Sequence, residues 1–520
     1  MTESASTSSA GLTPPEPPVL SRGRSAAIMA ALLMGILLGA LDSFIVATVL
    51  PTIAADLNDS AGQVFVVISY LIAQTVAIPI FGKLSDRFGR RSFYLLGLGI
   101  FLAGSALSAF SQNLDELVAF RAVQGLGSGA FFTVVFSIVA EIYPPKAASR
   151  LTGILSGVFG IAIVFGPLIG SYIVDTTTWR WIFAVNIPIG LAAVALVATS
   201  LGPLRPAARS RPAFDTTGSV LLASWVGCLI FALFQASNGW AWTDPRTITL
   251  LAIAFVLFPI FLWQELRSGD PLIPLHYFRS RLIAATSGIN FLRGAILTVV
   301  VTLVPILVVK GLGGSIDQGR NVLYAFMIPM VIGAAFAGSL VPRTGYRAPL
   351  LVGLVLVTIG CFFLAAVPTV PPVYRFVDTI LPVGILGALI PLGFGVGMTF
   401  APTQLAIQYS VPRHEVGTGS SLVWFVSNLG GAIVLSLVGT YQTQVFKAQE
   451  PSLALAGTDY PLFLSDLQLA VAHSIQDVWW LMVPLAIAGI LFSAVVVGGL
   501  PKAPHVVDGS EPAEASSPVA

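Results

Sequence analysis

The feature that most constrains the fold is a series of long apolar runs that recurs along the chain. Each run holds about twenty residues with few charges, and an α-helix of that length crosses the roughly 30 Å hydrocarbon core of a bilayer. Only 10% of the 520 residues are charged and 56% are hydrophobic. Soluble domains contain roughly 25% charged residues. The sequence therefore predicts an all-α polytopic membrane protein.

Fourteen runs are long enough to span the membrane. They lie near residues 28–50, 63–82, 92–111, 117–140, 151–173, 181–201, 216–235, 247–264, 284–309, 321–341, 349–367, 379–401, 418–440 and 479–500. An even number of spans puts both termini on one side, and Lys and Arg concentrate in cytoplasmic loops. Eighteen of the 26 Lys and Arg residues fall on the side of the termini and six on the other. We therefore expect both termini in the cytoplasm.

Two loops share one pattern, which indicates a duplicated unit. Segment 82–91 follows the second span, segment 338–347 follows the tenth, and both fit G-x-L-x-x-R-x-G-x-R. Equal positions within two six-helix units favour related halves, although chance similarity of short basic loops is the alternative. The predicted domains are a disordered tail (1–25), an N-terminal six-helix bundle (26–201), a linker with inserted helices 7 and 8 (202–281), a C-terminal six-helix bundle (282–501) and a second disordered tail (502–520). A long outer loop, 441–478, includes an amphipathic stretch at 464–471 that we expect along the membrane surface.

One carboxylate interrupts the first apolar run. Asp42 is the only acid inside any predicted span. An ionised carboxylate at such a depth costs at least about 2.5 kcal/mol on insertion scales, so it faces a polar cavity, pairs with a cation or holds a proton. Each option suits a carrier that moves protons. The simpler interpretation is a structural Asp at a helix interface.

Several segments resemble the fourteen-helix drug:proton antiporter branch of the major facilitator superfamily. They are L-D-S-F-I-V-A-T-V-L-P around Asp42, G-K-L-S-D-R-F-G-R-R at 82–91, R-A-V-Q-G-L-G-S-G from Arg121, the glycine-rich fifth span, and W-R-W-I-F-A-V-N-I-P-I-G from Trp179. Departures from the commonest letters of the branch occur at Ser43, Phe44, Ala47, Thr48, Val49 and Ser171. The resemblance implies two six-helix bundles plus two inserted central helices.

The resemblance also implies roles for particular residues. Its positions for proton coupling are Asp42 and Arg121. Its positions in the loop that latches the cytoplasmic gate are Gly82, Asp86, Arg87, Gly89 and Arg90. Its antiporter motif in the fifth span covers Gly160, Gly166, Pro167 and Gly170.

Physical chemistry adds an alternative to each of these roles. Asp86 can pair with an Arg or with the positive N-terminal end of a helix. The loop arginines can equally be cytoplasmic anchors, and Arg121 can extend to the outer interface. Pro342 replaces the acid in the second copy of the loop, so 338–347 should latch weakly or not at all. The glycines that follow Arg121 favour close helix packing over ligand contact.

The second half of the chain offers Asn290, Arg293 and Asn428 as candidates for a substrate cavity. A cation as deep as Arg293 disfavours a multiply charged cationic compound. It favours neutral, weakly cationic or anionic amphiphiles, with aromatic side chains supplying contact area. The alternative is an Arg293 tied to backbone carbonyls or to a carboxylate at a helix interface.

The motifs and the resemblance together predict a proton-driven exporter of small amphiphilic compounds that works by alternating access. The resemblance also implies a plasma membrane. A transporter dedicated to one metabolite is the alternative, and a polytopic membrane enzyme is remote because the four His residues lie in separate loops or tails. No G-x-x-x-x-G-K-[ST] loop supports an ATP-driven pump. Scattered basic residues form no stripe that would indicate a nucleic-acid partner, and none is expected. The two Cys residues lie in apolar runs and indicate neither a disulfide scaffold nor a metal cluster, and no metal or cofactor is expected. The expected partners are a small-molecule substrate, protons and the bilayer, and an accessory protein is an open possibility.

Overall fold

The computed structural model describes residues 21–57, 63–202, 213–238, 240–366, 383–455 and 460–496. These ranges are helical without a strand, and they contain thirteen helices that are long and apolar enough to cross a membrane. A bent helix in two parts brings the number of spans to fourteen. The predicted all-α polytopic fold is therefore confirmed. Most of the predicted linker at 202–214 and of both tails lies outside the described residues.

The α-helices follow one another along the chain as α1 (Arg22–Asp56), α2 (Gln63–Phe88), α3 (Arg90–Ala109), α4 (Leu114–Ile142), α5 (Pro145–Thr176), α6 (Arg180–Ala184), α7 (Asn186–Ser200), α8 (Thr216–Asn238), α9 (Pro245–Arg267), α10 (Arg281–Ile306), α11 (Ile316–Asn321), α12 (Tyr324–Thr344), α13 (Arg347–Ala366), α14 (Val383–Gln408), α15 (Val416–Leu455) and α16 (Tyr460–Val496). We call the end of the bundle that carries the start of α1 and the α2–α3 turn the Arg22 end. The opposite end, where α1 stops, is the Asp56 end.

Helix α4 is the central helix of the first half and packs on α2 and α3. Glycines allow this close approach. A Cβ on Gly125 would lie 2.4 Å from the carbonyl oxygen of Tyr70, and one on Gly127 would lie 2.3 Å from the backbone nitrogen of Phe101. The prediction that these glycines serve helix packing is confirmed.

The second half repeats this arrangement around α14, which packs between α12 and α13, while α10 packs on α15. Helices α5 and α12 pack on each other across the halves, and so do α2 and α15. The inserted helices α8 and α9 form a pair, and α8 also packs on α2 and α15.

Helix α5 carries the predicted glycine motif and consists of two straight parts, Pro145–Ala162 and Phe165–Thr176, at an angle of 40°. Pro167 lies next to this bend and lacks the N–H that an unbroken helix requires. A Cβ on Gly160 would lie 2.8 Å from Met330 Cε on α12, whereas one on Gly166 would lie 2.8 Å from Phe44 Cβ on α1. Gly170 approaches α1 in the same way. The motif thus lets α5 contact both neighbours closely.

Several boundaries differ from the sequence prediction. Helices α2 and α12, for example, continue to Phe88 and Thr344, so most of each predicted basic loop is helical. Three further differences have a plain physical cause. Helix α1 begins at Arg22 inside the predicted tail, because the Ser21 side chain accepts a hydrogen bond from the Arg24 N–H and caps it. The sixth span is divided into α6 and α7, because Pro188 cannot donate a hydrogen bond to the preceding turn. The predicted outer loop 441–478 is wrong, since α15 continues to Leu455 and α16 begins at Tyr460. Its Gln, Lys, Ala and Glu residues are too polar for a span but favour a helix, and the stretch 464–471 belongs to α16.

Candidate functional site

Asp42 lies at the meeting point of α1, α4 and α7, and its side chain is buried. Its Oδ2 accepts a hydrogen bond from Arg121 Nη1 on α4. Its Oδ1 accepts one from Gln124 Nε2 at 2.8 Å and one from Asn186 Nδ2 on α7 at 3.1 Å. The structure therefore brings Asp42 and Arg121 into direct contact and adds two amide donors. Three donors satisfy a carboxylate that water does not reach.

Further contacts fix the positions of these donors. Arg121 Nη1 also donates to Gln124 Oε1 at 2.8 Å, and the guanidinium carbon lies 4.1 Å from the centre of the Tyr70 ring. Asn186 Nδ2 also donates to Ser105 Oγ on α3 at 3.0 Å. The cluster consequently depends on α1, α2, α3, α4 and α7, so a change in the charge of Asp42 acts on all five helices.

Asp86, near the end of α2, binds the start of α15. Its Oδ1 accepts from the Gly417 N–H at 2.8 Å, and its Oδ2 accepts from the Thr418 N–H at 2.7 Å and from Thr418 Oγ1 at 3.0 Å. The first N–H groups of a helix have no partner inside the helix and carry a partial positive charge, so a carboxylate satisfies both needs. The contact with the N-terminal end of a helix is thus one of the two that physical chemistry allows for Asp86.

Arg90 supplies the second contact. Its Nη2 donates to Asp86 Oδ1 at 3.2 Å and to the carbonyl oxygen of Arg413 at 3.2 Å, while its Nη1 donates to the carbonyl oxygen of Ser137 at 2.8 Å. Nη1 also pairs with Glu141 Oε2 at 2.6 Å. Gly89 makes the turn between α2 and α3, with a φ of 104° that favours glycine. Arg90 thus connects α3 and α4 to the segment before α15.

Lys83 and Arg87 hold a residue that the sequence pattern did not indicate. Lys83 Nζ lies 2.6 Å from Asp270 Oδ1, and Arg87 Nη1 lies 3.3 Å from Asp270 Oδ2. Asp270 is in the connection between α9 and α10, where the sequence offered only a loop. Gly82 completes the contact, because a Cβ there would lie 2.6 Å from Ser421 Cβ on α15.

The second copy of the loop contacts α5 without an acid. Ser149 Oγ donates to the carbonyl oxygen of Gly338 at 2.6 Å, and a Cβ on Gly338 would lie 3.0 Å from Gly153 Cα. Arg343 and Arg347 are exposed and make no ion pair with any described residue.

Arg293 on α10 is buried and makes one side-chain hydrogen bond, from Nη1 to Thr403 Oγ1 on α14 at 3.1 Å. Its guanidinium carbon lies 4.2 Å from the centre of the Phe400 ring and 5.9 Å from that of Trp424. Asn290 lies one turn away on the same helix. Asn428 on α15 is half-buried and makes no side-chain hydrogen bond within the described ranges. The structure thus places Asn290 beside Arg293 but does not connect Asn428 to them by a hydrogen bond.

Aromatic side chains separate the Asp42 cluster from Arg293. Phe132 and Phe136 on α4 contact Trp424, with ring centres 5.3 and 5.5 Å apart, and Phe400 lies 6.2 Å from the same ring. A Cβ on Gly39, one turn before Asp42, would lie 2.9 Å from the Phe132 ring. These rings form a buried apolar layer between the two charged sites.

The statement that Asp42 is the only acid within a span needs correction. Helix α2 extends to Phe88 and helix α9 to Arg267, past the predicted ends of their spans, so the buried residues Asp86 and Glu265 also fall within spans. Glu265 Oε2 accepts from the Ile273 N–H at 2.9 Å. It lies on the inserted pair rather than beside Arg293, and Arg293 has no ion pair with it.

At the Asp56 end, Trp179 and Arg180 hold the end of α1. Trp179 Nε1 donates to Asp56 Oδ2 at 2.7 Å, and Arg180 Nη1 donates to the same oxygen at 3.2 Å. The Trp179 hydrogen bond, followed by the Arg180 hydrogen bond and charge, lowers the pKa of Asp56 although burial opposes this. Trp179 is buried, whereas Trp181 is exposed in the manner of a membrane-interface anchor.

Gln124, Asn186 and Asp270 are the residues that sequence reasoning missed. Gln124 follows Arg121 by three residues in the quoted fourth-helix motif, and Asn186 is the eighth residue of the quoted Trp179 motif. A spacing of three residues on a helix puts Gln124 on the same face as Arg121, and this signal could have identified it. Nothing in the sequence placed Asn186 or Asp270 beside its partner, because both contacts join distant parts of the chain.

The fourteen apolar spans of the described residues, counting the bent helix α5 as one, enclose buried ionisable side chains. They define a multi-pass membrane protein with charged sites inside the helix bundle. The profile of the Major Facilitator Superfamily matches residues 32–435, and the chain belongs to this superfamily of transporters. The resemblance seen in the motifs is thereby confirmed at the level of the superfamily.

Known relatives extend over most of the chain. Multidrug resistance protein 3 of Bacillus subtilis (strain 168) is 32% identical over 419 residues, which cover 81% of this chain and 80% of that protein. The tetracenomycin C resistance and export protein of Streptomyces glaucescens is 30% identical over 80% of this chain and 76% of its own. The crystal structure of the human organic anion transporter MFSD10 (TETRAN) superposes with a TM-score of 0.61 at 14% identity, covering 90% of this chain and 99% of that one. The last comparison shows the fold alone.

Proposed function

We propose that the protein is an efflux transporter that exports small amphiphilic compounds in exchange for protons, by alternating access. Its two six-helix bundles, 26–201 and 282–501, would rock against each other with α8 and α9 as an inserted pair. The names of the relatives, which include a multidrug resistance protein and an antibiotic export protein, support export. We place the chain in a plasma membrane with both termini in the cytoplasm and assign it no enzymatic activity.

The observation that carries proton coupling is the contact between Asp42 and Arg121. Asp42 is the acceptor for Arg121, Gln124 and Asn186. A proton on Asp42 removes the charge that these donors bind, so it weakens the attachment of α1 to α4 and α7. Protonation therefore biases the packing of these helices, which is the requirement for coupling a proton to a conformational change.

The gate loop supplies the two-state element. In this conformation Asp86 binds the start of α15, and the Arg22 end is closed between α2 and α15. Release of Asp86 would separate the two helices and open that end. Alternating access then requires the Asp42 cluster and the Asp86 contact to favour conformations that are open at opposite ends of the bundle.

The experiment is proton flux in proteoliposomes under an imposed pH gradient, with a panel of cationic, neutral and anionic amphiphiles. We expect substrate-dependent flux in the wild type and only background flux in Asp42→Asn. Asp56→Asn is the matched control, because it removes an acid from the exposed end of the same helix. Transport by Asp42→Asn with an unchanged pH dependence would contradict the coupling role.

Relatedness to the tetracenomycin C export protein supports a second candidate, a transporter dedicated to one natural product. The same panel separates the candidates. Flux with several unrelated compounds indicates multidrug efflux, whereas flux with one chemical class indicates a dedicated exporter. Reconstitution of the purified chain alone also tests whether an accessory protein is needed.

A further inference from the structure

We propose that Arg293, Asn290 and Gln404 bind the anionic group of the transported amphiphile, with the body of the compound against Phe400 and Trp424. The inference rests on the proposed function, since it names the substrate class that the candidate residues in the second half of the chain would bind. It concerns equilibrium binding, however, and does not depend on proton coupling.

The first observation is a buried guanidinium without a counter-ion. Arg293 is 3% exposed, and no described carboxylate lies within ion-pair distance of it. Its hydrogen-bond partner, Thr403, is neutral. A buried charge without a partner is costly, so a site that keeps one gains strongly from binding the opposite charge.

The second observation is the geometry of the atoms that are still available. Nη1 is engaged by Thr403, whereas Nε and Nη2 have no partner among the described residues. The N–H groups of Nε and Nη2 form one edge of the planar guanidinium and point in parallel. This edge is the fork that binds both oxygens of a carboxylate, or two oxygens of a sulfonate or phosphate.

The third observation is that neighbouring amides are also unsatisfied. Both side-chain atoms of Asn290 and the Nε2 of Gln404 are buried without a partner in the described part of the chain. Asn290 lies three residues before Arg293 on α10, and Gln404 follows Thr403 on α14. A bound oxyanion would satisfy amide N–H donors from two helices in addition to the guanidinium.

The charges near Arg293 decide which sign of charge the ligand should carry. Asp42 is already paired with Arg121 and lies beyond the layer of Phe132 and Phe136, so Arg293 faces no acid of its own. A monoanion would neutralise the site, whereas a cation would add a second uncompensated positive charge. The Phe400 ring at 4.2 Å and the Trp424 ring at 5.9 Å supply the apolar surface for an aromatic or aliphatic body.

The test compares three probes that share one ring system: 2-naphthoate, 2-naphthamide and 2-naphthylmethylammonium. Binding to the full chain in lipid nanodiscs is measured by calorimetry at pH 7 without a proton gradient. We expect 2-naphthoate to bind at least about tenfold more tightly than 2-naphthamide, the scale of a charge-assisted bidentate contact. The ammonium probe should bind most weakly.

Variants test whether the preference for naphthoate depends on Arg293. Arg293→Met should bind naphthoate no better than naphthamide, and Arg293→Lys should keep part of the preference because it retains the charge but not the fork. Arg267→Gln is the control, because it removes an exposed Arg that stacks on Trp263 at 4.0 Å. Thermal unfolding of Arg293→Met without ligand should occur at or above the wild-type temperature, since an unpaired buried charge is lost.

Several outcomes would overturn the inference. They are absence of naphthoate binding to folded wild type, equal binding of the three probes, and an unchanged preference in Arg293→Met. Asp42→Asn should keep the preference, so the two proposals can fail separately. Proton-coupled export without a carboxylate preference would leave only the proposed function, and a preference without flux would leave only this inference.

Discussion

The two copies of the basic loop occupy equivalent places in the fold but hold their partner helices differently. In the first copy, the Asp86 carboxylate binds the free N–H groups of Gly417 and Thr418 at the start of α15. In the second, Pro342 is exposed, and the Gly338 backbone packs directly against α5. The first contact is electrostatic and can be broken by moving one side chain, whereas the second is steric and changes only when helices slide.

The helices that the two loops contact, α15 and α5, explain the difference as much as the loops do. Gly417 and Thr418 are in the first turn of α15, where N–H groups lack partners within the helix. Helix α5 starts with Pro144 and Pro145, which have no N–H, and the N–H groups of Ala147 and Ala148 already donate to the Pro144 carbonyl oxygen. The start of α5 therefore has few N–H donors available to a carboxylate. Sequence similarity of the loops thus does not imply equal function.

The largest effect is expected from Asp86→Asn, which removes the charge from the first contact. Arg90 loses its buried partner, so the closed Arg22 end should lose about 2 kcal/mol, a roughly thirtyfold change in opening. The measurement is maleimide labelling of Ser421→Cys, a buried position behind the loop, in a background without Cys228 and Cys361.

Glu141→Gln is the control for Asp86→Asn, because Glu141 pairs with the same Arg90 but is 38% exposed. Labelling should rise little in this variant. Equal labelling rates for Asp86→Asn and wild type would mean that the first contact is not a latch.

A smaller effect is expected from Asp270→Asn, which leaves the Asp86 contact intact but removes the ion pairs that Lys83 and Arg87 make with residue 270. Lys83 is 4% exposed, so its lost ion pair should raise Ser421→Cys labelling by about fivefold, or about 1 kcal/mol. Arg343→Gln in the second copy should leave the rate unchanged. If both variants behave alike, the ion pairs do not distinguish the two loops.

Pro342→Asp tests whether an acid alone converts the second loop into a latch. Because few N–H groups at the start of α5 are available, we expect labelling of Thr152→Cys, a buried position, to change by less than about twofold. A tenfold slower rate would show that the receiving helix accepts an acid, and the explanation from α5 would be wrong.

The smallest effect concerns Asp56, a carboxylate that is paired with an Arg as Asp86 is but is far more exposed. The pKa of Asp56 is lowered first by the Trp179 hydrogen bond and then by Arg180, and its side chain is 52% exposed. A lowered pKa adds stability at pH values above the unfolded value of about 3.9 and loses it as the pH falls through the folded value.

Asp56→Asn should therefore cost about 0.5 kcal/mol or less at pH 7, because solvent screens the pair. The difference in thermal unfolding temperature from wild type should shrink as the pH falls below about 4. A difference that grows on acidification would contradict the assignment.

Much of the architecture was determined by the sequence. A helix that crosses hydrocarbon must satisfy its own backbone hydrogen bonds, so each apolar run had to be one helix, and all fourteen predicted spans have a counterpart. Errors fell where the membrane no longer constrains the chain. Polar residues after Tyr441 continued a helix into the predicted loop, and Pro188 divided a span.

For the charged residues too, one part of the result followed from the sequence and the other only from the structure. That Asp42, Arg121 and Arg293 needed partners followed from the sequence, because hydrocarbon does not solvate a charge. Which partners they have depended on tertiary structure: Gln124 and Asn186 for Asp42, Asp270 for Lys83, and a neutral Thr403 for Arg293. Burial of a charge is a local cost that any apolar run reveals, whereas its compensation depends on how distant helices pack, which residue spacing along the chain does not specify.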